Sequence, residues 1–490
     1  MSNIVKLYPF GYTFSDKSLS HLPTHYEQIQ INGKYYYSYD KDFKGFIKTE
    51  DEKFVLIHGE FVHVGIDNQY TESGLARHLL NSYYKDYDEF LDTLDFIAGR
   101  YVIIIGNKEE VELYPDATNS RTSYYSSQEN IIASHVFLIR DQFHHERIEH
   151  FSKVPEITNA LNFTPFKNIE SIIPNYKLNF YDKKMERYFP RKENIYTDME
   201  EKEKFDLFER FWFKQLDHFF DKYNNFIFSL SGGGDSRFSL ALLKNYLKNV
   251  DFFTYTTIDG EDRSSEAAKS LTIDYKIVQQ MLSDINLNHQ YIYYVENRKE
   301  LSPIEQKVLS KNTIGRHSSF LIPYVREMFP KPNLKHIRGN LLEIGQARYY
   351  RNGYKDSNIT ESKIMFDKRH KKGLGDQVKE EVDEIFERFV KKTSYGKNIY
   401  NYHILDLHYW ELRMGRWHSE ILNTHDIAFD TISPFNHRAM IDISLSFPYE
   451  KRRDEYLFQE LINRNYPILN FYGDNNILNL YEQNRNIKYK

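Results

Sequence analysis

The chain has 490 residues, 65 basic and 70 acidic side chains, a formal net charge of -5, and no cysteine. The missing cysteine excludes disulfides, thiolate-bound zinc, iron–sulfur clusters and thiol nucleophiles, and the balanced charge gives no general attraction to nucleic acid or anionic lipid. The length implies two or three domains, and the 16% aromatic content is ample for their cores.

The opening segment MSNIVKLYPFGYTF has no basic stretch followed by an apolar one, and no apolar run reaches 18 residues. Neither a secretory signal nor a membrane span is expected, so the default location is cytoplasmic. Strand-like runs then recur: KYYYSY at 34–39, FVLIHGEFVHVGI at 54–66, RYVIIIG at 100–106 and NIIASHVFLI at 130–139. Helical periodicity interrupts them at 72–84 and near 88–97. Residues 1–195 thus read as an α+β domain of mostly antiparallel strands. The histidines of HHERIEH (144–150) lack metalloprotease spacing and read as a surface cluster, not a zinc site.

Near residue 195 the pattern changes. Residues 200–223 carry apolar side chains at helical spacing, among them Phe205, Phe208, Phe211 and Phe219. A strand FIFSL, a loop SGGGDS, a helix over 236–247 and a strand over 250–258 follow. SSEAAKSL (264–271) is helix-like and YKIVQQ (275–280) strand-like. Strand alternating with helix predicts a parallel, doubly wound sheet in residues 196–490. Beyond about 302 the chain reads as mostly helical, with 367–384 a solvated stretch and WELRMGRWH (410–418) a core helix that turns Arg416 toward the cleft. No long Pro/Gly/Ser linker appears, so the boundary near 195 reads as a packed junction.

The loop is the most informative stretch. A strand that enters a glycine-rich turn opening a helix is an anion-binding design. Gly232, Gly233 and Gly234 allow positive φ and close approach of backbone N–H groups, and Ser231 and Ser236 supply hydroxyls. Asp235 repels phosphate unless a cation lies between them, which implies Mg²⁺. The stretch lacks the lysine of a Walker A loop and the spacing of a dinucleotide fingerprint. The bland alternative is a tight strand–helix turn capped by Asp and Ser.

SGGGDS resembles the SGGxDS pyrophosphate loop of the N-type ATP pyrophosphatases, and the chain is similar to the asparagine synthetase family within them. DFIAGRYVIII (95–105), LYPDATNSRTSYYS (113–126), SIIPNYKLNFY (171–181), HIRGNLLEIGQARYY (336–350) and FDTISPFNHRAMIDISLSFP (429–448) resemble later family motifs in the right order. The resemblance implies an N-terminal Ntn-hydrolase-like antiparallel sandwich and a C-terminal ATP pyrophosphatase domain with helical additions. It implies ATP and Mg²⁺ as cofactors. Pyrophosphate falls to Ser231–Ser236 and Gly339, adenine to Leu230, Thr254 and Thr256, and Mg²⁺ to Asp235 and Glu343. Arg338 and Asn340 lie close to Glu343 in sequence. Asp430 stands near a family glutamate. The family's late lysine aligns with Glu455, so Lys451, Arg452 or Arg453 is the substitute, with Arg453 chosen beside Asp235, Glu343 and Asp430 as catalytic.

The departures matter as much. Position 2 is Ser where the family's glutaminase has cysteine, so no glutaminase activity is expected and the amine must come from elsewhere. Relatives such as β-lactam synthetases and lasso-peptide cyclases take it from within the substrate. The expected partner is a small-molecule, peptide or sugar-acid carboxylate. No nucleic acid is expected, and a homodimer is left open. Two other functions are weighed: a catalytically impaired nucleotide-binding relative acting as a scaffold or partner subunit, and a pyrophosphate-loop enzyme that modifies tRNA or a nucleobase.

Overall fold

The computed structural model describes residues 5–65, 70–148, 160–257, 266–315, 318–474 and 477–479. Ser2 and His150 lie outside the described residues.

The first twelve strands build two antiparallel sheets. One holds β1 (Tyr12–Ser15), β2 (Tyr26–Ile31), β3 (Tyr35–Asp40), β8 (Tyr124–Ser126), β9 (Ile131–Ala133) and β10 (Ile169–Ser171), in the order β10-β8-β9-β1-β3-β2. The other holds β4 (Phe46–Glu50), β5 (Lys53–His63), β6 (Ile97–Gly106), β7 (Val111–Pro115), β11 (Tyr176–Asn179) and β12 (Met185–Arg187), in the order β12-β11-β7-β6-β5-β4. Side-chain alternation explains how they stack. Phe54 and Leu56 of β5 share a core with Phe14, Tyr35 and Tyr37 of the first sheet. Their neighbours Val55 and Ile57 point the other way, onto Leu75 and Leu79 of α1 (Glu72–Lys85) and Phe90 and Leu94 of α2 (Tyr87–Asp95).

The run NIIASHVFLI is not one strand. It splits into β9 and α3 (Val136–Phe143), because Ser134 spends its hydroxyl on the Tyr12 N–H (2.9 Å) and ends the ladder. Val136, Leu138 and Ile139 then cover the first sheet's outer face.

The parallel sheet holds β13 (Phe226–Ser229), β14 (Val250–Thr256), β15 (His289–Tyr293), β16 (Lys335–Ile337) and β17 (Asp430–Ile432), in the order β15-β14-β13-β16-β17. Every pairing in it is parallel. Helices α4 (Glu201–Lys222), α5 (Gly234–Leu242) and α6 (Glu266–Asp284) accompany it. The expected strand at 275–280 is the middle of α6: Ala268, Leu271, Val278, Met281 and Ile285 recur at helical spacing and are buried. The third strand is β15 instead. β16 and β17 escape sequence patterning because each is three residues long and polar at its start.

Aromatic residues of α4 share one core with α1, α2 and β13, so the antiparallel and parallel portions are packed together. A buried ion cluster also crosses between them. Arg100 of β6 donates to Asp426 (2.5 and 2.8 Å) and to Asp430 (3.0 Å), and Lys335 donates to Asp430 (2.8 Å). Among the described residues no helix is long and apolar enough to cross a membrane.

Candidate active site at the glycine loop

β13 ends at Ser229, and the loop runs from Leu230 into the first turn of α5 at Gly234. It lies at the carboxyl edge of the sheet, where open α/β sheets bind ligands. The loop is internally braced. Ser236 Oγ donates to the Ser231 carbonyl (2.9 Å) and lies 2.9 Å from Ser231 Oγ. The Gly233 N–H reaches Ser231 Oγ at 3.3 Å. Both hydroxyls expected to face an anion thus hold the turn.

The glycines serve packing, not handedness: none of Gly232, Gly233 and Gly234 is among the positive-φ residues. A Cβ on Gly232 would sit 2.8 Å from Ile277 Cδ1 of α6, so that position needs a glycine for close approach. Gly339, just past β16, is forced in the same way: a Cβ there would lie 2.7 Å from the Asp235 carbonyl oxygen and 2.6 Å from Ser239 Oγ. This contact brings the segment carrying Arg338 and Glu343 against the start of α5.

Asp235, in the first turn of α5, is half-buried, and its Oδ1 accepts from Gln346 Nε2 (3.2 Å). Burial first, then the carboxylates of Glu343 and Glu455, push its carboxyl well above the usual range, while Arg348 acts against them. Glu343, in a 3₁₀ turn over Leu342–Gln346, has one buried oxygen, Oε2, without a hydrogen-bond partner. Two facing carboxylates, one with an orphaned oxygen, make a donor set that fits a divalent cation taking its remaining ligands from phosphate oxygens.

The remaining expected residues divide. Leu230 is buried with its backbone in use: its N–H donates to Phe253 O (2.9 Å), and its carbonyl accepts from Thr254 Oγ1 (2.8 Å). Thr256 sits at the carboxyl end of β14, its hydroxyl on the Leu271 carbonyl (2.9 Å). Asp430 is not at the site. It begins β17, at the opposite edge of the sheet from the loop, and is consumed by Arg100 and Lys335. A cavity of about 1100 Å³ opens at that edge, lined by Glu60, Lys335, Asp426 and Asp430. The Glu60, Lys335, Asp426 and Asp430 charges are paired with one another or with Arg100 and Lys222, so the loop is the better place for chemistry. Arg453 is also outside. Its guanidinium is exposed and pairs with Asp454 (2.8 Å). Arg416 turns away from the cleft and is spent on Ser171 and the Phe163 carbonyl (2.9 Å).

Four neighbours were not singled out from sequence. Arg348 is exposed, within electrostatic reach of Asp235, and placed by a turn in which Ala347 has φ 49°. Gln346 bonds Asp235. Arg413 reaches the electrostatic field of Glu343 from a π-helical run, His408–His418. Asp274 of α6 accepts the Gly232 N–H (2.8 Å), so one loop donor faces a carboxylate of the chain itself. A basic residue within a turn of a retained motif carboxylate was the available signal for Arg348; no local pattern marks Asp274.

No protein-family model matches the chain, and no curated protein matches it. Solved structures give faint likenesses. The U34-tRNA thiolase NcsA from Methanococcus maripaludis, with its [4Fe-4S] cluster, is 14% identical, over 55% of this chain and 76% of that one, at a TM-score of 0.23. The glutamine phosphoribosylpyrophosphate amidotransferase from B. subtilis, complexed with ADP and GMP, is 10% identical, over 70% of this chain and 72% of that one, also at 0.23. At that TM-score neither bears on how this chain works.

Proposed function

We propose that the chain is an ATP-dependent, AMP-forming carbon–nitrogen ligase of asparagine synthetase type. In this reading residues 1–195 are a degenerate, Ntn-like amidotransferase domain and 196–490 the synthetase domain. The observation that carries the proposal is the meeting of the SGGGDS loop with Glu343. Asp235 and an unpartnered Glu343 oxygen face each other at the carboxyl edge of a parallel sheet, beside a glycine turn that opens a helix.

The chemistry follows from charge. A substrate carboxylate oxygen attacks the α-phosphorus of ATP, the bond to the bridging oxygen breaks, and pyrophosphate leaves. Loop N–H groups and the start of α5 stabilise the pyrophosphate charge, with Arg348 the nearest free cation on the Asp235 side. Asp235 and Glu343 would hold Mg²⁺, which supplies charge neutralisation between the carboxylates and the phosphates. An amine nitrogen then attacks the acyl carbon, the bond to AMP breaks, and the amine gives up a proton. Positioning and charge stabilisation supply most of the rate.

A second reading has one specific observation behind it. Asp274 on the Gly232 N–H places a negative charge where pyrophosphate must sit, as suits a nucleotide-binding relative with impaired turnover. ATP–pyrophosphate exchange across a panel of acids decides between them. Exchange that needs an acid supports the ligase; tight ATP binding without exchange or pyrophosphate release supports the impaired relative.

A further inference from the structure

Arg338 follows β16 directly, at the same sheet edge as the glycine loop. Its guanidinium contacts Asn340 and His425 Nδ1 (3.4 Å), and among the described residues no carboxylate lies within ion-pair distance of it. Glu343 and the Tyr255 hydroxyl are its nearest sources of negative potential, and burial lowers its affinity for its proton. Arg413 is in the same condition. Its Nη1 is buried without a partner, its guanidinium stacks on Trp417 (3.6 Å), and burial together with Arg369 brings it down to about 10. Between them stands His418, fully buried, with neither ring nitrogen hydrogen-bonded. Arg338, Arg413, His425 and Arg100 all act on it electrostatically, and burial keeps it neutral.

Charged side chains are rarely buried without a counter-ion, because removing a guanidinium from water costs several kcal/mol unless an anion compensates. Elsewhere in this chain the rule is kept: Arg100 has Asp426, Arg187 has Glu411, and Arg452 has Asp406. Arg338 and Arg413 break it together, around one histidine with free nitrogens and one shared carboxylate, Glu343. The cations near the site are also divided. Arg348 acts on Asp235, on the pyrophosphate side; Arg338 and Arg413 act on Glu343.

We propose that Arg338, Arg413 and His418 form a second anion site beside the glycine loop, and that the acid activated by this chain carries a further anionic group held there. The anion site stands on the unpartnered groups alone; its assignment to the acyl substrate rests on the ligase reading. The substrate class is a dicarboxylate or a phosphorylated acid. The reacting carboxylate turns toward the α-phosphate, and the second anion is bound by two guanidinium forks.

The probe for the site is selenate, whose selenium locates itself by anomalous scattering. A selenium peak within hydrogen-bond distance of Arg338, Arg413 and His418 is expected in crystals of the whole chain, apart from any peak at the loop. Sulfate should raise the melting temperature of the parent, and the rise should fall by at least half in Arg338→Gln and in Arg413→Gln but persist in Arg338→Lys. A selenate peak confined to the loop, or an unchanged sulfate response in both Gln variants, overturns the site. If a Gln variant fails to fold, the parent crystal decides alone. For the substrate, ATP–pyrophosphate exchange is compared within matched pairs, succinate against succinamate and 3-phosphoglycerate against glycerate. Exchange at least tenfold faster with the doubly charged member is expected, and equal rates overturn the substrate class. Selenate in the site with no exchange from any acid supports the anion site and sinks the ligase reading, with which the acyl assignment falls.

Discussion

Gly339 lies against Asp235 so closely that a Cβ on the glycine would be 2.7 Å from the aspartate's carbonyl oxygen. That contact joins the two halves of the candidate site, the loop after β13 and the segment after β16. Gly339→Ala must therefore push the start of α5 away from Glu343. Overpacking of this kind costs about 1–3 kcal/mol. The expected outcome is a modest drop in melting temperature and a loss of pyrophosphate release of about tenfold or more, since misplacement near 1 Å is heavily penalised in catalysis. Parental turnover in Gly339→Ala would separate the two segments functionally.

Asp235→Asn should affect stability and activity in opposite directions. Burial and the facing Glu343 and Glu455 carboxylates make the Asp235 charge unfavourable in the free protein. Removing it should leave the melting temperature equal or higher. The same charge is needed once metal and pyrophosphate are bound, and losing it costs about 3 kcal/mol or more, roughly a hundredfold in rate. Ser239→Ala is the control: its hydroxyl is buried without a partner, so its removal should change little. Pyrophosphate release and thermal melts on both variants check the pair, and an Asp235→Asn enzyme with parental turnover would remove the loop from the chemistry.

Asp274→Asn tests the carboxylate that sits on the loop. It removes a negative charge next to the Gly232 N–H while keeping an acceptor there. At an effective dielectric near 20, a charge at this range contributes about 1 kcal/mol or more after screening, so pyrophosphate should bind roughly three- to tenfold more tightly. Titration calorimetry with pyrophosphate and Mg²⁺ measures it. Weaker binding would make Asp274 a brace of the loop, not a competitor of the ligand.

These outcomes also show why some of the chain was legible and some was not. The β13 strand, the glycine loop, α4 and the alternating cores of β5 and β6 follow from local patterns with strong periods. Asp430 misled because a motif resemblance fixes order along the chain, not the end of a strand. Lys335 and Asp430 pair at the amino edge of β16 and β17, and the loop is at the other edge. The α6 error has a different origin. Tyr275, Ile277 and Val278 favour strands intrinsically, yet the apolar spacing from Ala268 to Ile285 buries one helical face, and burial prevails over propensity. Arg338 and Arg413 meet only in space.

The buried ion cluster predicts that Asp430→Asn is a stability variant. Burial raises the Asp430 carboxyl, but Lys335, Arg121 and Arg100 outweigh it and hold it far below the usual range. Its stabilising contribution is present above pH of about 4 and is lost as pH falls further. Breaking the cluster from one side leaves Lys335 and Arg100 undercompensated, at a cost of about 3–5 kcal/mol. Asp430→Asn should melt well below the parent at neutral pH while keeping, per folded molecule, its pyrophosphate release.

Two other buried acids act in the opposite sense. Asp442 accepts the Tyr402 hydroxyl (2.6 Å) beside Asp95, and burial brings it up to about 8. Glu420, buried against Tyr124 and Thr313, is also pushed up to about 8 by burial. In the unfolded chain both ionise near pH 4. The folded state therefore binds these protons more tightly, so the stability they contribute is complete below pH of about 4 and is lost as pH rises toward 8. Each group accounts for on the order of 2–5 kcal/mol across that window. Asp442→Asn and Glu420→Gln keep the shape and remove the charge. Relative to the parent, each variant should gain melting temperature steadily from pH 5 to pH 8, and the double variant should gain about the sum, since the two sites share no printed contact. Acid loss through Asp430 is common to all the proteins and cancels in the difference. A parent–variant difference that stays flat from pH 5 to pH 8 would show that Asp442 and Glu420 are ionised throughout, and that their surroundings solvate charge better than their burial implies.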